Sequence, residues 1–204
     1  MRNQFAMELW TIQTEPAWRS LQERGYLRAT RAHADRDLLP AYDWMAAQMK
    51  ERIGPPRSSK SSVPLWAWQQ YDGIERRRPD LRRAWHLPRG THGVRVGFEI
   101  PDDQVLLSDF QSWHYVLNYS YLATSESDAE AFDARFPEFL CCSWSNPSDD
   151  PCVRSLVEES WQRIFDLDWY DPYVTAVKAE KSIQATFWQL DWDQVTSVDP
   201  FVAR

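Results

Sequence analysis

Five arginines fall within eight positions, Arg76, Arg77, Arg78, Arg82 and Arg83, with Arg89 close behind. A guanidinium is a flat fork of donors that grips a carboxylate or phosphate at two points. In a chain of net charge -7 such a run gathers anions locally, and Arg78 and Arg82 are its binding candidates. The plainer alternative is a solvated, ion-paired helix face, with Glu75 and Asp80 at hand. The second segment runs from Ser108 to Asn118. As a helix it places His114 and Asn118 on one face and turns Phe110, Trp113 and Leu117 to the core. His114 is a candidate acid, base or ligand partner; a polar outer face is the alternative. The third is aromatic: twelve tryptophans stand beside only six glycines. Trp66 and Trp68 lie two apart in a strand pattern and share a side, as Gln184, Thr186 and Trp188 do later. Indoles on a strand either fill a core or line a cleft and stack on a planar ring. A glutamine buried among them needs a partner from the protein or from a ligand.

Other chemistries are missing. There is no GxxxxGK[ST] or GxGxxG phosphate cradle, no GxSxG nucleophile turn and no HExxH. The four histidines are scattered and no CxxC occurs, so no metal site is expected. Cys141, Cys142 and Cys152 form a poor disulfide set; free, buried thiols in a reducing compartment are the expectation. The acidic balance opposes general nucleic-acid or anionic-membrane binding. No apolar run is long enough for a bilayer or a signal peptide, so a cytoplasmic protein is expected.

The elements that must hold these residues follow from periodicity. Leu9 to Thr14 alternates as a strand. Thr14 then caps a helix with Pro16 in its first turn and Gly25 at its left-handed end. Leu38, Tyr42, Met45, Met49 and Ile53 mark a second helix with Asp37 as cap. Leu65 to Tyr71 and Val94 to Ile100 read as strands, and Val105 to Leu107 as a short apolar run. Ser108 with Gln111, and Ser127 with Glu130, form capping boxes; the first helix reaches Tyr121. Asp150-Pro151 opens another helix. Ser182 to Leu190 is the last main strand, with Val195 to Phe201 as an edge. This order predicts an α/β (α+β) fold with a mixed or antiparallel central sheet flanked by helices. One domain over residues 1–204 is expected, with a mobile polar loop at 54–64.

Several blocks carry a resemblance: Leu9-Trp10-Thr11-Ile12-Gln13-Thr14, Ala41-Tyr42-Asp43-Trp44-Met45, Pro64-Leu65-Trp66-Ala67-Trp68, Arg78-Pro79-Asp80-Leu81-Arg82, Ser108-Asp109-Phe110 with Trp113-His114, and Ile183-Gln184-Ala185-Thr186-Phe187-Trp188. Together they resemble a bacterial family catalogued as domain of unknown function 3841, over residues 8–201. Behind it stands a weaker resemblance to ADP-ribosyltransferase-like domains, in the opening strand and helix and in the strand around Gln184. That likeness implies NAD as a cofactor to test. It places Thr11 or Gln13 where a histidine or arginine is expected, and Gln184 where the catalytic glutamate would stand. A glutamine lacks the carboxylate charge that steadies an oxocarbenium-like transition state, which favours binding over transfer.

The leading expectation is a ligand-binding domain for a small anion, nucleotide or dinucleotide. Trp66 and Trp68 stack on its ring, Arg78 and Arg82 hold phosphate, and His114, Asn118, Gln184, Thr11 and Gln13 orient the rest. An NAD-dependent enzyme using His114 and Gln184 is the second expectation, and a non-catalytic partner of another protein the third.

Overall fold

The computed structural model describes residues 5–58 and 63–204. The alternating patterns become a six-stranded antiparallel sheet. Its strands are β1 (Ala6–Thr14), β3 (Leu65–Gln70), β4 (His92–Pro101), β5 (Leu106–Asp109), β6 (Ile183–Phe187) and β8 (Val195–Val202), in spatial order β5-β6-β3-β1-β4-β8. A small ribbon pairs β2 (Tyr26–Leu27) with β7 (Leu190–Asp191). The helices are α1 (Glu15–Arg24), α2 (Leu39–Arg52), α3 (Phe110–Leu117), α4 (Glu126–Arg135) and α5 (Pro151–Ser160). The expected α/β architecture with an antiparallel sheet is thus present, and β8 forms one edge, where Pro200 withholds a backbone donor.

Each sheet face is apolar for its own reason. Leu9, Val94, Val96, Phe98, Leu65, Ala67, Ala185 and Phe187 occupy one face and pack with Leu21 of α1 and Leu27 of β2. Thr14 accepts the Ala17 amide at the start of α1, and Gly25 at φ 77° closes it. On the opposite face Trp66, Leu106 and Trp188 meet Met45 and Met49 of α2, Trp113 and Val116 of α3, and Val153 and Val157 of α5. Trp161, in a short 3-10 turn after α5, is fully buried there.

Several expected details move by a residue or two. Asp37 does not cap α2; Leu38 stands at that position, while the Asp37 amide is taken up by the Asp35 carboxylate in the turn before. Ser108 belongs to β5, and Asp109 caps α3 by accepting the amides of Gln111 and Ser112. That helix stops at Leu117 rather than Tyr121, because Tyr119 takes a positive φ of 54°. Ser125, not Ser127, caps α4. Asp109 and Ser125 have extended backbones from which their side chains reach the first amides of the helix, whereas Leu38 is helical and offers no side-chain cap. The arginine segment is no helix face: after a short 3-10 turn at Ile74–Arg76 it runs irregularly, broken by Pro79 and Pro88. The thiols are not buried: Cys141 and Cys152 are exposed and Cys142 is half-buried. Of the polar loop at 54–64, residues 59–62 lie outside the described residues.

Candidate ligand-binding site

Strand register brings the site's floor together. Trp10 pairs with Trp68 on one side and Gly97 on the other, and Trp68 pairs with Gln184, which pairs with Ser108. These residues therefore form one transverse row on one sheet face. Helices cover the β5-β6-β3 half of that face. The segment following β3 covers part of the other half.

That segment is pinned at many points. Tyr71 and Asp72 donate their amides to the carbonyls of Arg77 and Arg76, and the Ile74 amide reaches Ala179. Gly73 sits at φ 74°, and a Cβ there would meet the Ala179 carbonyl oxygen at 3.1 Å. The position therefore needs glycine for conformation and for space. Farther along, Asp199 of β8 pairs with both Arg78 and Arg95, while Arg95 also donates to the Pro79 carbonyl. Burial raises the Asp199 carboxyl, but the hydrogen bonds from Arg78 and Arg95 outweigh it and leave it below the usual carboxylate range.

Between this strap and β1 lies a cavity of about 1030 Å³, lined by Glu8, Trp10, Tyr71, Asp72 and the arginines 76, 77, 78, 82 and 83 among others. Five guanidinium groups share it with the carboxylates of Glu8, Asp72, Glu75 and Asp80. Three arginines are committed: Arg76 to Asp72 at 3.2 Å, Arg78 to Asp199, and Arg82 to Asp80 at 2.7 Å. The side-chain and backbone hydrogen bonds from Arg82 hold the Asp80 carboxyl far below its ordinary range. Glu75, an expected partner, forms no ion pair among the described residues. Arg77 and Arg83 likewise have no carboxylate within 4 Å among them. Instead, the Arg77 guanidinium lies 5.6 Å from the centre of the Trp10 ring, and that of Arg83 lies 5.2 Å from Trp85. Arg77 Nε donates to the Gln69 carbonyl at 3.2 Å; a guanidinium lying over a ring still presents its terminal nitrogens to an anion.

A second cavity of about 250 Å³ is lined by Trp68, Tyr71, Asp72, Arg83, Trp85, Phe110, Gln111 and Ser182. It shares Tyr71, Asp72 and Arg83 with the first. Its rings meet nearly edge to face: Trp68 lies 5.1 Å from Tyr71 at 87° and 4.8 Å from Phe110 at 67°. Trp85 is 67% exposed, with the Arg83 guanidinium over its ring.

The expected site residues divide on these cavities. Arg78, Arg82 and Trp68 line them. Trp66 turns into the helical core against Tyr42 and Trp113 and borders a separate hollow that Gln13 also lines. Thr11 is buried and donates to the Trp66 carbonyl, and Gln13 donates to Thr11. Gln184 is buried and donates to Ser108 at 3.1 Å. His114 engages the Phe110 carbonyl, and Asn118 caps α3 by donating to the His114 carbonyl. None of these last five lines either cavity. Sequence reading passed over Tyr71, Asp72 and Trp85. The signal for Trp85 was its setting: a tryptophan among arginines, in a stretch broken by Pro79 and Pro88.

Residues 8–196 match the family model described as Domain of unknown function (DUF3841). The chain belongs to this family. The match runs from within β1 to the start of β8, and so includes the strap and the lining of both cavities. No curated protein and no solved structure matches the chain. Among the described residues no group of three or more histidine, cysteine, aspartate or glutamate residues is placed to hold a metal ion. No helix among them is long and apolar enough to cross a membrane.

Proposed function

We propose that this DUF3841 protein binds a nucleotide or dinucleotide, with phosphate in the arginine cavity and a planar ring in the aromatic one. The observation that carries the reading is that the two cavities adjoin, with Tyr71, Asp72 and Arg83 in the lining of both. A cavity of about 1030 Å³ lies at the upper end of ordinary ligand sites. Arg77 and Arg83 supply cations without a carboxylate partner, and Trp68 and Trp85 supply ring faces. The guanidinium in the aromatic lobe favours a π-face or an anion over an ammonium group, which it would repel. The exposed free thiols support a reducing compartment such as the cytoplasm.

The NAD-dependent enzyme reading gains less, because neither Gln184 nor His114 lines the cavities. A protein-partner role is favoured by one separate feature, the strongly exposed Leu140 and Tyr173 at the rim of a hollow of about 320 Å³.

The test is calorimetric titration and thermal shift with ADP, NAD and inorganic pyrophosphate. A ligand that binds only the folded state raises the melting temperature. Replacing both Arg77 and Arg83 by alanine should weaken binding about tenfold or more, since hydrogen bonds to charged groups are the strong ones. No binding of any of these ligands, or equal binding by the double variant, overturns the proposal.

A further inference from the structure

Resting on that reading, we infer that the waist between the two cavities is a ribose site, with Asp72 and Tyr71 as the groups that read the sugar hydroxyls. The two lobes share only three lining residues: Tyr71, Asp72 and Arg83. A ligand with its ring in one lobe and its phosphates in the other must pass its linker between them. In a nucleotide the linker is the sugar, so its hydroxyls meet this trio. Arg83 brings only donors. Asp72 brings only acceptors, and an ionised carboxylate can take a hydrogen bond at each oxygen from neighbouring hydroxyls.

Asp72 is available for this. Among the described residues its one ion pair is with Arg76 at 3.2 Å, both groups about half exposed or more, and such surface pairs hold weakly. Tyr71 supplies the second, independent sign. It is 7% exposed and lines both lobes, yet its hydroxyl makes no hydrogen bond of good geometry among the described residues. Burial pushes its acidity down, and the nearby Trp85 indole and Arg83 charge only partly offset this. The phenol therefore stays protonated and can both donate to and accept from a sugar hydroxyl. A buried polar group left without a partner is costly, and a ligand hydroxyl removes the cost.

The waist is also held still. Ser182 donates to the Tyr71 carbonyl at 2.6 Å, and Gln70 donates to the carbonyls of Lys178 and Lys181 at 2.9 and 2.7 Å. The neighbouring Gly73 turn leans on Ala179. Little ordering is left to be done on binding, so a missing hydroxyl should register fully in the affinity.

The experiment compares ADP with its 2′,3′-dideoxy analogue by calorimetric titration, in the native protein and in the Asp72→Asn and Tyr71→Phe variants. The native protein should bind ADP about tenfold more tightly than the analogue, the effect of a lost hydrogen bond to a charged group. In Asp72→Asn that ratio should fall toward one, and in Tyr71→Phe it should shrink. A ratio cancels any general change in cavity charge or stability, so a merely structural role for either residue would leave it unmoved. Equal binding of the two ligands by the native protein overturns the ribose assignment while the phosphate-and-ring site stands. Absence of binding by both, and by pyrophosphate, removes the site itself and the ribose inference with it.

Discussion

The same sheet face is covered in two different ways. Over β5, β6 and β3 lie helices whose apolar residues recur at helical spacing, and Met45, Met49, Val116, Val157 and Trp161 seal that half. Over β1 lies a strap of arginines with no period at all. Aliphatic side chains can close against a sheet because they need nothing but contact. Guanidinium groups need partners or water, so a strap made of them leaves a hollow. Where carboxylates are within reach, as at Asp72, Asp80 and Asp199, the arginines take them. Where they are not, the guanidiniums of Arg77 and Arg83 stack on indoles. On the proposed reading the sealed half carries stability and the hollow half binding, and substitutions should separate the two.

The largest effect belongs to the sealed half. Trp161→Ala should cost about 3–5 kcal/mol in urea unfolding, as truncation of a fully buried aromatic does. Nearly as large is the effect at the buried pair of Lys181 and Asp109, 2% and 1% exposed and 3.3 Å apart. Asp109 also accepts from Ser112 and Thr175, and Lys181 also donates to the Trp169 carbonyl at 2.7 Å. Lys181→Met should cost about 3 kcal/mol by the same measurement, because it leaves the carboxylate short of a buried partner. A change there below 1 kcal/mol would show that the pair does not hold the irregular chain before β6 in place.

Gly97→Ala sits on the border of the comparison. A Cβ at Gly97 would meet Ser197 Oγ at 2.3 Å and the Trp10 indole nitrogen at 3.3 Å. Overpacking of this kind costs about 1–3 kcal/mol. It should also lower ligand affinity, because Trp10 floors the arginine cavity. A loss of stability without loss of affinity would place the ligand away from Trp10. Trp85→Ala should do the reverse: unfolding within about 0.5 kcal/mol of native, as for exposed positions, with clearly weaker nucleotide binding.

The smallest effect is a pH dependence. The Asp199 carboxyl titrates below its unfolded value, so its ion pairs add stability that is whole above the ordinary carboxylate range. That stability disappears as pH falls through the lower folded value. Asp199→Asn should therefore be less stable than native at pH 7, by no more than about 1 kcal/mol because Arg78 and Asp199 are both partly exposed. Below the folded value the two curves should merge. A gap that persists there would assign the effect to packing.

What could be read from the chain follows the same division. The Thr14 and Gly25 ends of α1, the Asp150-Pro151 start of α5, the alternation of β4 and the two faces of β6 depend on neighbours in sequence, and all stand as expected. Cap positions slipped where two candidates adjoin, as at Ser108 and Asp109. The site was half legible. Its arginines and Trp68 stood out by type, but their arrangement depends on distant partners: Arg78 finds Asp199 121 positions away. Trp66 and Trp68 share a strand side, yet Trp66 packs between Tyr42 and Trp113 while Trp68 meets only the first residue of α3, Phe110, and reaches the aromatic cavity. No local pattern encodes that difference.

The most direct test is photolabelling with 8-azido-ADP followed by peptide mapping. The account predicts label on the peptides carrying Trp68 to Asp72 and Arg83 to Trp85, suppressed by excess ADP and by the Arg77→Ala, Arg83→Ala double substitution. Label confined to other peptides, or insensitive to competitor, would contradict it.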